Sequence, residues 1–173
     1  MAPLRHRAHS LADAIIDGQD MALNWKTLSF RELDLEELYA LLRLRQQVFV
    51  VEQDCAYLDL DNKDQVARHI LAFNGDQLVA YQRCLPPGAS YPAASSIGRI
   101  IVHPDHRGTQ LGRELVAQGI RHNADSWPDT DICINAQAHL QGFYGSLGFV
   151  AEGEEYMEDG IPHRKMRLQY PAS

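Results

Sequence analysis

The stretch Ile97-Gly98-Arg99-Ile100-Ile101-Val102-His103-Pro104-Asp105-His106-Arg107-Gly108-Thr109-Gln110-Leu111-Gly112-Arg113-Glu114-Leu115-Val116-Ala117-Gln118-Gly119-Ile120 decides the fold. Its apolar, β-branched start, Ile97 to Val102, has the pattern of a strand buried on both faces. Pro104 to Gln110 reads as a turn. Leu111, Leu115 and Ile120 then continue as a helical stripe to about Ala124, and Trp127-Pro128 ends it. A buried strand thus runs through a tight turn straight into a helix. Gly108 and Gly112 let a ligand approach the backbone, and the first helical amides have no intrahelical partners. Arg107 and the helix dipole add positive potential. This geometry suits a pyrophosphate, although a strand, a glycine turn and a helix are commonplace without any ligand.

Working outward, Trp25 to Phe30 reads as a short strand. Asp34 and Glu37 form a capping-box pattern before a helix from about Leu35 to Val50, with Leu38, Leu41, Leu42, Arg45 and Phe49 on one face. His69 to Phe73 and Gln77 to Leu85 read as strands around Asn74-Gly75, a turn pair that tolerates positive φ at both positions. Asp131 to Ala138 is a further strand and Leu140 to Leu147 a short helix with Gly148 as its left-handed cap. Phe149 to Met157 and His163 to Tyr170 are the last strands, joined at Glu158-Asp159-Gly160. The order implies an α+β fold: a mixed, central, partly antiparallel sheet of six to seven strands, flanked by helices on both faces.

The chain has 173 residues, which suits one domain with a real core. It is 45% hydrophobic and 23% charged, a soluble globular composition. No apolar run approaches the roughly 20 residues that a membrane helix needs. A net charge of −7 argues against a surface given over to nucleic acid. Three scattered cysteines, Cys55, Cys84 and Cys133, suit neither a disulfide framework nor a zinc knuckle, so the expected setting is a reducing cytoplasm. His103, Asp105 and His106 lie close together but fit no zinc spacing, and no metal is expected. Residues 1–20 place Asp13 and Asp17 inside their apolar stretch, which spoils a signal peptide. They are expected to form a disordered extension to a single domain over 21–173.

Two segments are acidic. Glu52, Asp54, Asp59, Asp61 and Asp64 face only Lys63 in sequence, and Glu152, Glu154, Glu155, Glu158 and Asp159 form the second. Each is either a solvated loop or a rim that attracts a cationic substrate. His69 and His139 read as structural histidines.

Further residues raise the phosphate-loop reading. Arg107-Gly108-Thr109-Gln110-Leu111-Gly112 after Ile100-Ile101-Val102, then Phe143-Tyr144 before Leu147-Gly148-Phe149, resemble the GNAT acyltransferase superfamily. Arg43-Leu44-Arg45, Val48 to Gln53, Ala136 to Gln141 and Glu158 to His163 are similar to its ElaA family. The likeness covers about residues 24–168.

The resemblance implies an acetyl-CoA site in a V between two splayed parallel strands, here Ile97–Val102 and Asp131–Ala138. Ile101 and Val102 would meet the pantetheine arm, and Arg107, Gly108, Thr109, Gln110, Leu111 and Gly112 would wrap the pyrophosphate. Gln110 stands where the superfamily pattern has its first glycine. Gln137 stands where many relatives carry an asparagine facing the cofactor. Tyr144 matches the tyrosine that protonates the departing CoA thiolate. Glu52 and His163 are candidate bases or ammonium anchors. The implied activity is direct acyl transfer from acetyl-CoA to an amine, without an acyl-enzyme. The acceptor would be a small cationic amine or a peptide or protein amino group. A non-catalytic acyl-CoA-binding regulatory module is the alternative, synthesis of an acylated signal molecule ranks below both, and homodimer formation stays open.

Overall fold

The computed structural model describes residues 22–170. The expected N-terminal extension lies outside the described residues. The elements run β1 (Asn24–Ser29), α1 (Leu35–Arg45), β2 (Arg68–Asn74), β3 (Gln77–Leu85), β4 (Ala94–Val102), α2 (Leu111–Ser126), β5 (Asp131–Gln137), α3 (Gln141–Gly145), β6 (Val150–Glu158) and β7 (Ile161–Leu168). One seven-stranded sheet has the order β1-β2-β3-β4-β5-β7-β6. Every neighbouring pair is antiparallel except β4 with β5.

Alternation along the central strands sends side chains to two cores. Ile70, Ala72 and Val79 pack with Leu111, Leu115 and Val116 of α2. Leu71, Leu78 and Tyr81 pack with Leu41 and Leu44 of α1 and with Val48. The two helices therefore cover opposite faces of the sheet, as the element order implies.

Local signals explain most boundaries. The capping box forms: the Glu37 amide donates to Asp34 Oδ1 at 2.8 Å, and the Asp34 amide donates to Glu37 Oε2 at 3.1 Å. The regular helix after it ends at Arg45, short of the expected Val50. Leu41 and Arg45 of the expected face are fully buried, and Leu38, Leu42 and Phe49 are half-buried against the same core, which Leu44 and Val48 complete. From Gln46 to Glu52 the backbone winds as a π-helix, which adds residues to each turn.

The turns also carry information. In the β2–β3 hairpin Asn74 pairs with Gln77, so Gly75-Asp76 is the turn, and only Gly75 has positive φ, at 58°. At the β6–β7 turn both Asp159 and Gly160 have positive φ, 49° and 77°. This matches the right-handed twist of the flanking strands. Gly148 caps the segment after α3 at φ 97°, where a Cβ would meet Leu168 Cδ1 at 3.0 Å.

Candidate active site

The parallel pairing of β4 with β5 is short. Ala94, Ser95 and Ser96 pair with Asp131, Ile132 and Cys133, and the ladder stops there. Arg99 sits at φ 53°, a left-handed conformation inside a strand, and the β3–β4 register shifts opposite it. This bulge bends β4 away from β5. Backbone groups beyond it are left without a β5 partner, and a cleft of about 480 Å³ opens between the strands. β4 is therefore not buried throughout: Ile100 and Val102 are half-buried at the cleft wall.

The cleft brings together Glu52, Ile101, Val102, Arg107, Gln137, Tyr144 and His163. Gly108, Thr109 and Gln110 lie outside its walls as an exposed loop. Leu111 turns its side chain into the core, so only its backbone amide remains for a ligand. Gln110 is left-handed, φ 66° and ψ −2°, the conformation the glycine pattern calls for at that position. Its carbonyl accepts the Arg113 and Glu114 amides, and its side chain does not cap α2.

Arg107 is already engaged. Its Nε donates to the Val102 carbonyl at 3.1 Å, and its two Nη atoms reach the two Glu52 oxygens at 2.7 and 3.1 Å. Glu52 stands at the end of the π-helical segment, which also carries Phe49 into the cleft. A carboxylate with both oxygens on a guanidinium is poorly placed to accept a proton from a substrate.

Tyr144 belongs to the short helix α3, reached through a single 3-10 turn, Ala138–Leu140, after β5. It is buried against Phe143 and Phe149, and its ring lines the cleft. Burial pushes its phenol up to about 12, which extends its protonated range further into alkaline pH. His163 Nδ1 lies 2.8 Å from the Ile161 carbonyl. A carbonyl only accepts, so in the neutral ring Nδ1 carries the proton and Nε2 keeps its lone pair. Gln137 Nε2 donates to Gln53 Oε1 at 3.3 Å and ties the end of β5 to the end of the π-helical segment.

The acidic rim expected over 52–64 is largely neutralised within the protein. Arg45, with no exposed surface, binds Asp59 Oδ2 and Asp64 Oδ1, each at 2.7 Å. Arg83 binds Asp61 and Asp64 at 2.7 and 2.9 Å, and Arg99 binds Asp59 at 2.6 Å. Three arginines thus face three aspartates. Burial alone would raise Asp64, but Arg45 and Arg83 outweigh it and hold the carboxyl below the usual range. Asp61 is likewise held below the usual range, the cost of burial being outweighed chiefly by Arg83. In the second acidic stretch Glu152 pairs with Lys165 and Arg167. The acidic groups at the cleft without an ion pair, among the described residues, are Glu158 and Asp159.

Sequence reading missed several residues. Tyr57, Arg99 and Asn135 line the cleft. No motif marks them, because a bulge and a splayed register place them there. His69 is structural as expected: it is fully buried, with Nδ1 2.8 Å from the Tyr81 hydroxyl and Nε2 3.0 Å from the Asp64 carbonyl. His139 is instead exposed at the cleft wall. His103 Nδ1 accepts the Asp105 amide at 3.3 Å as a local turn cap. Cys84 and Cys133 are buried, while Cys55 lines the cleft with its thiol 3.4 Å from the Asp159 carbonyl. No described helix is long and apolar enough to cross a membrane.

Comparison with known proteins converges on one group. A family model described as "Acetyltransferase (GNAT) domain" matches residues 37–170. The chain is 45% identical to protein ElaA of Escherichia coli K12 over 143 residues, 82% of this chain and 93% of that protein. The crystal structure of an acyl-CoA N-acyltransferase from Pseudomonas aeruginosa superposes with a TM-score of 0.81 at 43% identity, covering 84% of this chain and 99% of the other. The crystal structure of E. coli ElaA gives 0.79 at 43% identity, with the same coverage.

Proposed function

Taking as premise that this chain belongs to the GNAT acetyltransferase family, we propose that it is a cytoplasmic N-acetyltransferase carrying the acyl group of acetyl-CoA directly to an amine. The acceptor is a small cationic amine or a peptide or protein amino group. The observation that carries this reading is the position of Tyr144, a buried phenol, at the wall of a cleft between splayed parallel strands.

The roles follow from the groups present. The β4 backbone at Ile101 and Val102, paired to β3 but without a β5 partner, would hold the pantetheine arm. The loop Arg107 to Gly112, with the first amides of α2, would hold the pyrophosphate. His163 Nε2 takes the proton from the acceptor ammonium, and the freed nitrogen attacks the thioester carbonyl. When the carbon–sulfur bond breaks, the Tyr144 hydroxyl gives its proton to the leaving sulfur, and the proton shed by the attacking nitrogen restores the phenol. No acyl-enzyme is required, which leaves Cys55, Cys84 and Cys133 without a role in the transfer. Glu52 holds Arg107 until the pyrophosphate takes its place; the base is His163.

The test is thermal unfolding with acetyl-CoA, CoA and ATP, followed by thiol release with an amine panel. Ligand at a hundredfold excess over its dissociation constant stabilises by about 2.7 kcal/mol. A shift with acetyl-CoA and not ATP, with amine-dependent thiol release, is the expected result. No shift at millimolar acetyl-CoA overturns the reading. The Glu52 carboxylate on Arg107 favours one other reading, a non-catalytic acyl-CoA-binding module in which ligand displaces Glu52 and moves the loop. That module would bind acetyl-CoA with no thiol release, and Tyr144→Phe would leave its response unchanged.

A further inference from the structure

A second cavity, of about 440 Å³, adjoins the cleft. The two share Gly98, Arg99, Asn135, Glu158, Asp159 and His163, so they meet where β4 and β5 diverge. Lys63, Leu85, Ser90, Ser96 and Cys133 line only the second cavity. It therefore has a near end at the proposed base and a far end at Lys63.

The charges at the two ends differ in sign. At the near end the β6–β7 turn sets Glu158 and Asp159 beside His163, and neither carboxylate forms an ion pair among the described residues. At the far end Arg83 and Asp61 neutralise one another. Arg99, at the junction, is matched by Asp59 and Asp61. Lys63 is different. Its ammonium meets the Ser90 hydroxyl at 3.0 Å and no carboxylate among the described residues. A hydroxyl accepts a hydrogen bond but does not cancel a charge. The arginine–aspartate network balances internally, so Lys63 is the uncompensated charge at that end.

We infer that the acceptor is an amine that also carries a carboxylate, bound with its ammonium toward Glu158, Asp159 and His163 and its carboxylate on Lys63 and Ser90. This rests on the acetyltransferase reading and narrows its acceptor class. Such an acceptor meets a complementary charge at each end, whereas a simple cationic amine leaves Lys63 facing the cavity unanswered. The same polarity brings the nitrogen, rather than the acid, to the junction where the acyl carbon would lie. Acetylation then cancels the ammonium and leaves an anionic product facing Glu158 and Asp159, which favours its release.

The experiment measures kcat/KM by thiol release for glycine, β-alanine and γ-aminobutyrate against their carboxamides, with calorimetric binding of the same compounds to the CoA complex. At least one acid should exceed its carboxamide by about tenfold, the scale of a hydrogen-bonded charge pair. Lys63→Met should collapse that acid-to-amide ratio toward one, and Lys63→Arg should keep it. Equal values for acid and amide throughout the series overturn the inference while leaving the acetyltransferase reading intact. So does a ratio unchanged in Lys63→Met. Failure to bind acetyl-CoA overturns both. If acetyl-CoA binds and no acid binds or reacts, only the inference on the acceptor falls.

Discussion

Arg107 and Glu52, 55 positions apart in the chain, close a two-point ion pair at the cleft, Nη1 to Oε1 at 2.7 Å and Nη2 to Oε2 at 3.1 Å. The contact joins the end of the π-helical segment to the loop that precedes α2. It also occupies the guanidinium proposed to meet the pyrophosphate. Both side chains are close to half exposed, so the pair is weak, within about 1 kcal/mol. A pyrophosphate can displace it. Glu52→Gln should therefore tighten acetyl-CoA binding severalfold, read by calorimetry at low salt. Weaker binding in that variant would show that Glu52 helps to build the site rather than competing for it.

Tyr144→Phe removes the proton donor and little else, because the ring keeps its packing on Phe143 and Phe149. Turnover should fall by roughly 10²–10⁴ while acetyl-CoA affinity stays within twofold, about the range seen when a general acid is lost. In the parent protein Tyr144, with its pKa raised to about 12, should cause no alkaline loss of kcat at moderately basic pH. Full turnover in Tyr144→Phe would remove it from the mechanism.

The arginine–aspartate network sets a direction for acid stability. Asp61 and Asp64 have folded-state pKa values below their ordinary ones. Their contribution is therefore present above the unfolded carboxylate range and is lost as pH falls from about 4 through the folded values. Urea unfolding from neutral to acid pH should show this loss, and Asp64→Asn should flatten it. Arg45→Met leaves Asp59 and Asp64 facing one another without their shared, fully buried cation and should cost about 3–5 kcal/mol at neutral pH. A cost near zero would mean that water reaches these carboxylates.

Gln110 carries a conformational cost that glycine would not. A left-handed residue with a side chain is disfavoured by about 1–2 kcal/mol, offset by the greater freedom of glycine in the unfolded chain. Gln110→Gly should thus be neutral or stabilising in urea titration, and Gln110→Val should be clearly destabilising. Clear destabilisation by glycine would point to a contact made by the glutamine side chain.

Gly119 sets how closely α2 lies on the sheet. A Cβ there would fall 2.6 Å from Gln82 Nε2, which itself donates to the Leu115 carbonyl. Gly119→Ala should cost about 1–3 kcal/mol by overpacking. Wild-type stability in that variant would mean that Gln82 can swing aside at no cost.

Local chemistry is legible in the amino-acid sequence. The Asp34–Glu37 box, the strand–turn–helix from Ile97 to Ile120, the cap at Gly148 and the turn at Asp159-Gly160 each depend on residues a few positions apart. Short-range sterics and hydrogen bonding determine them whatever the rest of the chain does. The family motifs lie in these same segments, which is why the fold and the positions of Tyr144 and Arg107 followed from sequence. Tertiary structure alone decided which charges remain free. Asp59, Asp61 and Asp64 read as a solvated loop or an acidic rim, yet their partners Arg45, Arg83 and Arg99 lie on separate elements and reach them only through sheet register and the bulge at Arg99. The Glu52–Arg107 pair, the Lys63 end of the second cavity and the exposure of His139 have the same origin. A side chain's partner in space is set by how helices and strands pack, and contacts across tens of residues leave no spacing rule in the sequence.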